Sequence, residues 1–89
     1  MFYLYILTCA DGTLYTGIAT DVARRVREHN SPKLGAKYTR TRQPVRLSYQ
    51  SLKFADRAEA SREEYRVKQL SRQAKLDLLK TNKKIRSKA

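Results

Sequence analysis

The sequence has no tryptophan, one cysteine, one histidine, two prolines and three glycines in 89 residues. With Cys9 alone, an internal disulfide and a cysteine zinc cluster are both excluded, and a free thiol fits a reducing compartment, the cytoplasm first. No apolar run approaches the roughly 18 residues that a membrane helix needs. The N-terminus opens directly on an alternating pattern with no basic leader, so neither a span nor a signal peptide is expected. The chain contains no internal repeat and no Gly-, Pro- or Ser-rich linker. One small domain over residues 1–80 is therefore expected, with a modest core, followed by a basic tail over 81–89 that is expected to be disordered.

Acids are also scarce. Twenty Lys and Arg stand against eight Asp and Glu, a net charge of +12 and a pI near 10.3. Such an excess on so small a body attracts polyanions, and nucleic acid is the first candidate. The bases cluster: Arg24, Arg25, Arg27, Lys33, Lys37, Arg40, Arg42 and Arg46 crowd one region, with Asp21 and Glu28 the acids nearby. Lys80, Lys83, Lys84, Arg86 and Lys88 follow near the C-terminus.

Residues 2 to 9 alternate, with Phe2, Leu4 and Ile6 against Tyr3, Tyr5, Leu7 and Cys9, which predicts a strand. A second strand runs from Thr13 to about Ala19, and Ala10-Asp11-Gly12 between them is a hairpin turn. A two-residue loop would put Tyr5 and Tyr15 on opposite faces. A three-residue loop with Gly12 left-handed pairs Tyr5 with Gly17 and Leu7 with Tyr15. Both tyrosines then share one side, and Leu4, Ile6, Leu14 and Ile18 form an apolar second face; the three-residue register is the expectation.

Thr20 or Asp21 caps a helix to about Asn30. In it Val22, Arg25, Val26 and His29 share a face, the valines on the sheet and Arg25 and His29 along its edge. Residues 31–43 are polar and expected to be loop. Pro44 precedes a third strand near Val45 to Leu52. A second helix opens at Asp56 and runs to about Leu70, and a third covers Arg72 to about Lys80 with Leu76 and Leu79 as its apolar contacts. The fold class is α/β: a small three-stranded antiparallel sheet flanked by helices in the order β-β-α-β-α-α. Tyr49 and Tyr65 are expected to be packing residues.

The tripeptides Tyr3-Leu4-Tyr5 and Tyr15-Thr16-Gly17, the run Asp21-Val22-Ala23-Arg24-Arg25-Val26, the run Gly35-Ala36-Lys37-Tyr38-Thr39-Arg40 and the segment Glu64 to Lys68 together resemble the GIY-YIG nuclease domain. The chain is most similar to its small, single-domain bacterial members of the UPF0213 kind. The first tripeptide has Tyr3 where many relatives have glycine, and the second has Thr16 where isoleucine or valine is usual. By this resemblance Tyr5 and Tyr15 take the two motif tyrosines, Gly17 the closing glycine, and Arg25 and His29 the arginine and the residue four positions on. It also selects Glu64 over Glu63 as the metal-binding acid. Asn82 is the only asparagine after the glutamate helix and is left unassigned.

The resemblance implies a Mg²⁺-dependent endonuclease that hydrolyses phosphodiesters, with DNA, single-stranded or structured, as the favoured substrate and Mn²⁺ as a substitute ion. Glu64 would hold the ion, since one carboxylate suits Mg²⁺, which keeps waters and takes phosphate oxygens; the plain alternative is an ion pair with Lys68. Arg25 would stabilise charge on the phosphate, or is a surface arginine of a basic helix. His29 either bonds phosphate, orients a tyrosine or is structural. Tyr5 would be the general base, which requires its pKa to fall from about 10, with Tyr15 orienting water or phosphate. Arg24, Lys37, Tyr38, Arg40 and Arg42 are the expected nucleic-acid contacts. The alternative function is a non-catalytic nucleic-acid-binding module, RNA- or ribosome-associated, with no membrane partner in either case.

Overall fold

The computed structural model of the protein describes residues 1–81 in full and the backbone as far as Lys88. Strands β1 (Tyr3–Thr8) and β2 (Leu14–Ala19) form an antiparallel hairpin, and β3 (Arg46–Gln50) pairs with the other edge of β1 to give the order β2-β1-β3. Tyr5 lies opposite Gly17 and Leu7 opposite Tyr15, the register of a three-residue loop. Gly12 closes that loop at φ +85°, a conformation that costs an L-residue with a side chain roughly 1–2 kcal/mol. Across β1 and β3 the register shifts between Ile6 and Leu7, leaving Ser48 as the extra residue of a bulge. Strand β3 ends two residues before the expected Leu52, which is exposed.

The two sheet faces carry separate cores. Tyr5, Leu7 and Cys9 pack with Val22 and Val26 of helix α1 (Val22–His29) and with Val45. Leu4 and Ile6 pack against Val67 and Leu70, and against Leu78 and Leu79. Val67 belongs to helix α3 (Arg57–Lys68), and the two leucines belong to α4 (Arg72–Lys88). Leu14, Ile18, Tyr49 and Phe54 complete that second cluster. Burying each large apolar side chain contributes about 1.5–3 kcal/mol, so a three-layer sandwich with a central strand buried on both faces is the stable arrangement. Caps fall where short acids precede each run: Asp21 accepts from the Arg24 amide at 3.0 Å, and Asp56 from the Glu59 amide at 2.9 Å. Helix α4 extends past the expected end near Lys80. Asn82 and the basic side chains after it lie outside the described residues. Among the described residues no helix is long and apolar enough to cross a membrane.

Residues 31–43 differ from the expected loop. They contain a one-turn helix, α2 (Lys37–Arg40), that folds back against α1. Side-chain bonds to the backbone hold this segment at both ends. Gln43 donates to the carbonyls of His29 at 2.8 Å and Ser31 at 2.7 Å. Asn30 accepts from the Val45 amide at 2.7 Å and donates to its carbonyl at 2.9 Å, acting as a one-residue strand partner. Gly35 crosses so close to α1 that a Cβ there would lie 2.7 Å from the His29 Cα. Polar composition signals a loop in sequence, but these bonds satisfy its backbone and let it pack. Replacing Asn30 with alanine leaves two Val45 backbone groups unpaired and should lower unfolding free energy by about 1–2 kcal/mol in urea titration.

Candidate active site

Tyr5 sits in the middle of the central strand with its ring on the α1 face, and it is 1% exposed. Its hydroxyl lies over Gly17 of the neighbouring strand. A Cβ at Gly17 would stand 2.5 Å from the Tyr5 Oη and 2.7 Å from Cζ, so glycine is required there for closeness rather than for backbone freedom. His29, from the last turn of α1, meets the same hydroxyl: its Nε2 is 2.9 Å from Oη. Its Nδ1 is 2.8 Å from the Thr39 Oγ1 of α2. Both His29 and Thr39 are 0% exposed. His29 is thus under the sheet face, not along its edge, because α2 closes over it.

Tyr15 and Tyr38 complete an aromatic layer. Tyr15 approaches His29 edge-on at 5.1 Å between centroids and Tyr5 at 6.5 Å. Tyr38 stacks on Tyr15 at 5.9 Å with 27° between planes, and the Arg42 guanidinium carbon lies 3.9 Å from the Tyr38 ring centroid. Arg42 also binds the Asp11 carboxylate at 3.1 Å and the Tyr38 carbonyl at 2.9 Å. Of the five expected nucleic-acid contacts, Arg24, Lys37, Tyr38 and Arg40 are exposed. Arg42 is half-buried and bonded to the hairpin turn and α2. Tyr65, expected to pack, is 69% exposed on α3, since the residues that α3 turns to the core are Ala60 and Val67.

Arg25, from α1, and Glu64, from α3, whose Val67 packs on the other face of the sheet, act on the Tyr5 phenol by charge. The Arg25 guanidinium faces the Tyr5 hydroxyl and is held by Glu28 at 2.8 Å and by the Leu34 carbonyl at 3.2 Å. Glu28 also binds Arg24 at 3.1 Å, so one acid aims both arginines. The Glu64 side chain is 24% exposed and pairs with Lys68 at 3.2 Å, the i,i+4 pair that its spacing predicts. It is less enclosed than a buried acid would be. Burial pushes the Tyr5 phenol up to about 12, aided by the Tyr15 and Glu64 charges and opposed by Arg25. That is opposite in direction to what a free phenolate base requires. Burial, with Arg25 adding to it, pushes His29 down to about 4, leaving a neutral imidazole at neutral pH.

The five candidates Tyr5, Tyr15, Arg25, His29 and Glu64 come from two strands and two helices, yet their side chains meet, or act by charge, around one hydroxyl. Over residues 1–77 the chain matches the family model of the GIY-YIG catalytic domain. The chain belongs to the GIY-YIG family. Many of its relatives carry the UPF0213 name. It is 55% identical over 82 residues to UPF0213 protein DP2720 of Desulfotalea psychrophila, covering 92% of this chain and 74% of that one. It is 56% identical over 81 residues to UPF0213 protein SAG0778 of Streptococcus agalactiae, covering 91% and 90%. The solution NMR structure of the UPF0213 protein BH0048 from Bacillus halodurans is 51% identical with a TM-score of 0.56, covering 91% of this chain and 85% of that one. At the centre of the site Tyr5 lies against Gly17 and beside the Tyr15 ring.

The donor chemistry fits a hard divalent ion. Among the described residues no group of three His, Cys, Asp or Glu converges, so an all-protein cage is not built. A single, partly exposed carboxylate such as Glu64 suits an ion that retains water and takes its remaining ligands from solvent and substrate. Sequence reasoning missed Glu28, Gly35 and Thr39. For Glu28 the i+3 and i+4 spacing from Arg25 and Arg24 was an available signal; Gly35 and Thr39 act across α2 and have no local one.

His29 also fixes a pH dependence. Its folded pKa lies near 4 against 6.5 when unfolded, so the unfolded chain binds the extra proton first and stability falls with pH across that window. The contribution is fully present above pH 6.5 and lost by pH 4, amounting to at most about 3 kcal/mol. Urea midpoints measured from pH 7 to 4 should show this loss, and a His29→Gln protein should show a flatter profile over the same range.

Proposed function

We propose that the protein is a metal-dependent endonuclease that hydrolyses phosphodiester bonds, with DNA, single-stranded or structured, as its substrate. The convergence of Tyr5, Tyr15, His29 and Arg25 on one buried hydroxyl carries this reading, because a binding module has no need of such an enclosed polar cluster. The exposed Arg24, Lys37 and Arg40 supply charge along the approach, and phosphate contacts of this kind are indifferent to base sequence.

In the reaction, water oxygen forms a bond to phosphorus, the ester P–O bond breaks, and the departing oxygen takes a proton from solvent. Tyr5 accepts the proton lost by the attacking water as its own hydroxyl proton leaves toward His29. Tyr15, packed against His29, orients the water or the phosphate. Arg25, pre-aimed by Glu28, stabilises the negative charge that builds on the phosphate oxygens. Glu64 would hold Mg²⁺, with Mn²⁺ as a substitute, and the bound ion would supply Lewis-acid stabilisation of phosphate and leaving oxygen. Lys68 would then give up part of its hold on Glu64.

Labelled single-stranded, duplex and branched DNA, incubated with Mg²⁺, should be cut by the protein, with no cutting in EDTA. A Glu64→Ala protein should lose at least about a hundredfold in rate while binding DNA as before. Binding to all three substrates with no cutting would instead favour the non-catalytic module, and tight binding to ribosomal RNA alone would favour an RNA-associated role.

A further inference from the structure

Donor and acceptor accounting around His29 runs in one direction. The Thr39 hydroxyl has one hydrogen, and the Ala36 carbonyl 3.0 Å away can only accept it. The Thr39 oxygen therefore accepts toward His29, whose Nδ1 at 2.8 Å must carry the hydrogen, and the Tyr5 hydroxyl hydrogen has one described partner, the His29 Nε2 at 2.9 Å. Nε2 must then be bare. A neutral imidazole with a bare Nε2 carries its hydrogen on Nδ1, which lies 2.8 Å from the Thr39 Oγ1. The Thr39 hydroxyl closes the series by donating to the Ala36 carbonyl at 3.0 Å. The opposite tautomer would leave the Tyr5 hydrogen without a described partner and set the Thr39 oxygen against a bare Nδ1 while its hydrogen is on the Ala36 carbonyl. It would be favoured only by the Ala36 amide, which stands 3.4 Å from Nδ1, the longest contact in the set.

We propose that Thr39 is a positioning residue that fixes His29 as the Nδ1–H tautomer and so makes Nε2 the acceptor of the Tyr5 proton. This rests on the nuclease reading above. When water attacks, its proton passes to the Tyr5 Oη while the Tyr5 proton moves to Nε2, and the imidazolium formed keeps its Nδ1–H bond to Thr39. The water oxygen keeps the electron pair of the broken O–H bond and uses it for the new bond to phosphorus. The negative phosphate nearby favours the imidazolium. A buried phenol that is reluctant to ionise can then act as a base without existing as a phenolate beforehand. The placement of Thr39 explains why residues 36–40 form a turn of helix pressed on α1: Tyr38 faces Tyr15 on the outside while Thr39 reaches His29 beneath. The close pass of Gly35, whose added Cβ would meet the Thr39 Oγ1 at 3.1 Å and the His29 Cα at 2.7 Å, leaves this contact no slack.

The chain has a single histidine, so a long-range proton–nitrogen NMR spectrum of ¹⁵N-labelled protein at pH 7 reads this tautomer without assignment. The expected pattern is a protonated Nδ1 and a bare Nε2. In Thr39→Val, which keeps the shape and removes the hydroxyl, the imidazole should become a tautomer mixture and DNA cleavage should fall at least about tenfold. Thr39→Ser should restore both. An Nε2–H tautomer or an imidazolium in the unaltered protein would overturn the proposal, as would Thr39→Val with unchanged tautomer and rate. The tautomer is read without any cleavage, so it decides the Thr39 assignment even if the protein cuts no DNA. Should Thr39→Val fail to fold, the unaltered protein and Thr39→Ser still decide.

Discussion

The hydrogen bond between the Tyr5 hydroxyl and the His29 Nε2, 2.9 Å long and closed to solvent, is the contact on which the rest of the site depends. A buried hydroxyl and imidazole are costly unless each has a partner. Satisfying both sets where everything around them must lie. Gly17 has no side chain because the tyrosine ring crosses its strand. Helix α1 must end at His29, and the next ten residues must fold back to bring Thr39 to the other ring nitrogen. Asn30 and Gln43 then hold that return with bonds to the backbone on either side. The basic segment is ordered by the imidazole beneath it as much as by its own caps.

Such an arrangement keeps function and stability in the same few atoms. Neutral His29 stabilises the fold above its unfolded pKa and, in the proposed reaction, is also the group that receives a proton. Tyr5 anchors the core beneath α1 while its oxygen faces Arg25. Charge is arranged in the same economical way: Glu28 holds Arg24 and Arg25, and Asp11 holds Arg42. Arg24 keeps most of its side chain in solvent even so. With +12 on 89 residues, the protein has cations to spare for a phosphate backbone after these internal pairs are made.

Much of the fold was legible from periodicity. The hairpin register followed from one demand, that Tyr5 and Tyr15 share a face while Leu4, Ile6, Leu14 and Ile18 share the other. The caps Asp21 and Asp56 and the Ala60–Val67 stripe were equally readable, because they are local. Resemblance, not spacing, separated Glu64 from Glu63. The segment 31–43 was not legible: its order comes from Gln43, Asn30 and Thr39 reaching elements 10 to 15 residues away, which composition cannot reveal. His29 was misplaced to an edge for that reason, and the ion pair of Arg42 with Asp11, 31 residues earlier, had no local signal. Tyr65 was expected to pack, but α3 turns it outward.

The central claim is that the Tyr5 oxygen, not merely its ring, does the chemistry. The direct measurement is the single-turnover cleavage rate of a Tyr5→Phe protein with Mg²⁺ at saturating DNA, alongside its unfolding curve and DNA affinity. The ring and its packing over Gly17 are kept, and only the oxygen between Arg25 and His29 is removed. The account predicts a rate lower by about a hundredfold or more with folding and binding retained. Full cleavage by Tyr5→Phe would contradict it and leave this hydroxyl with a structural role only.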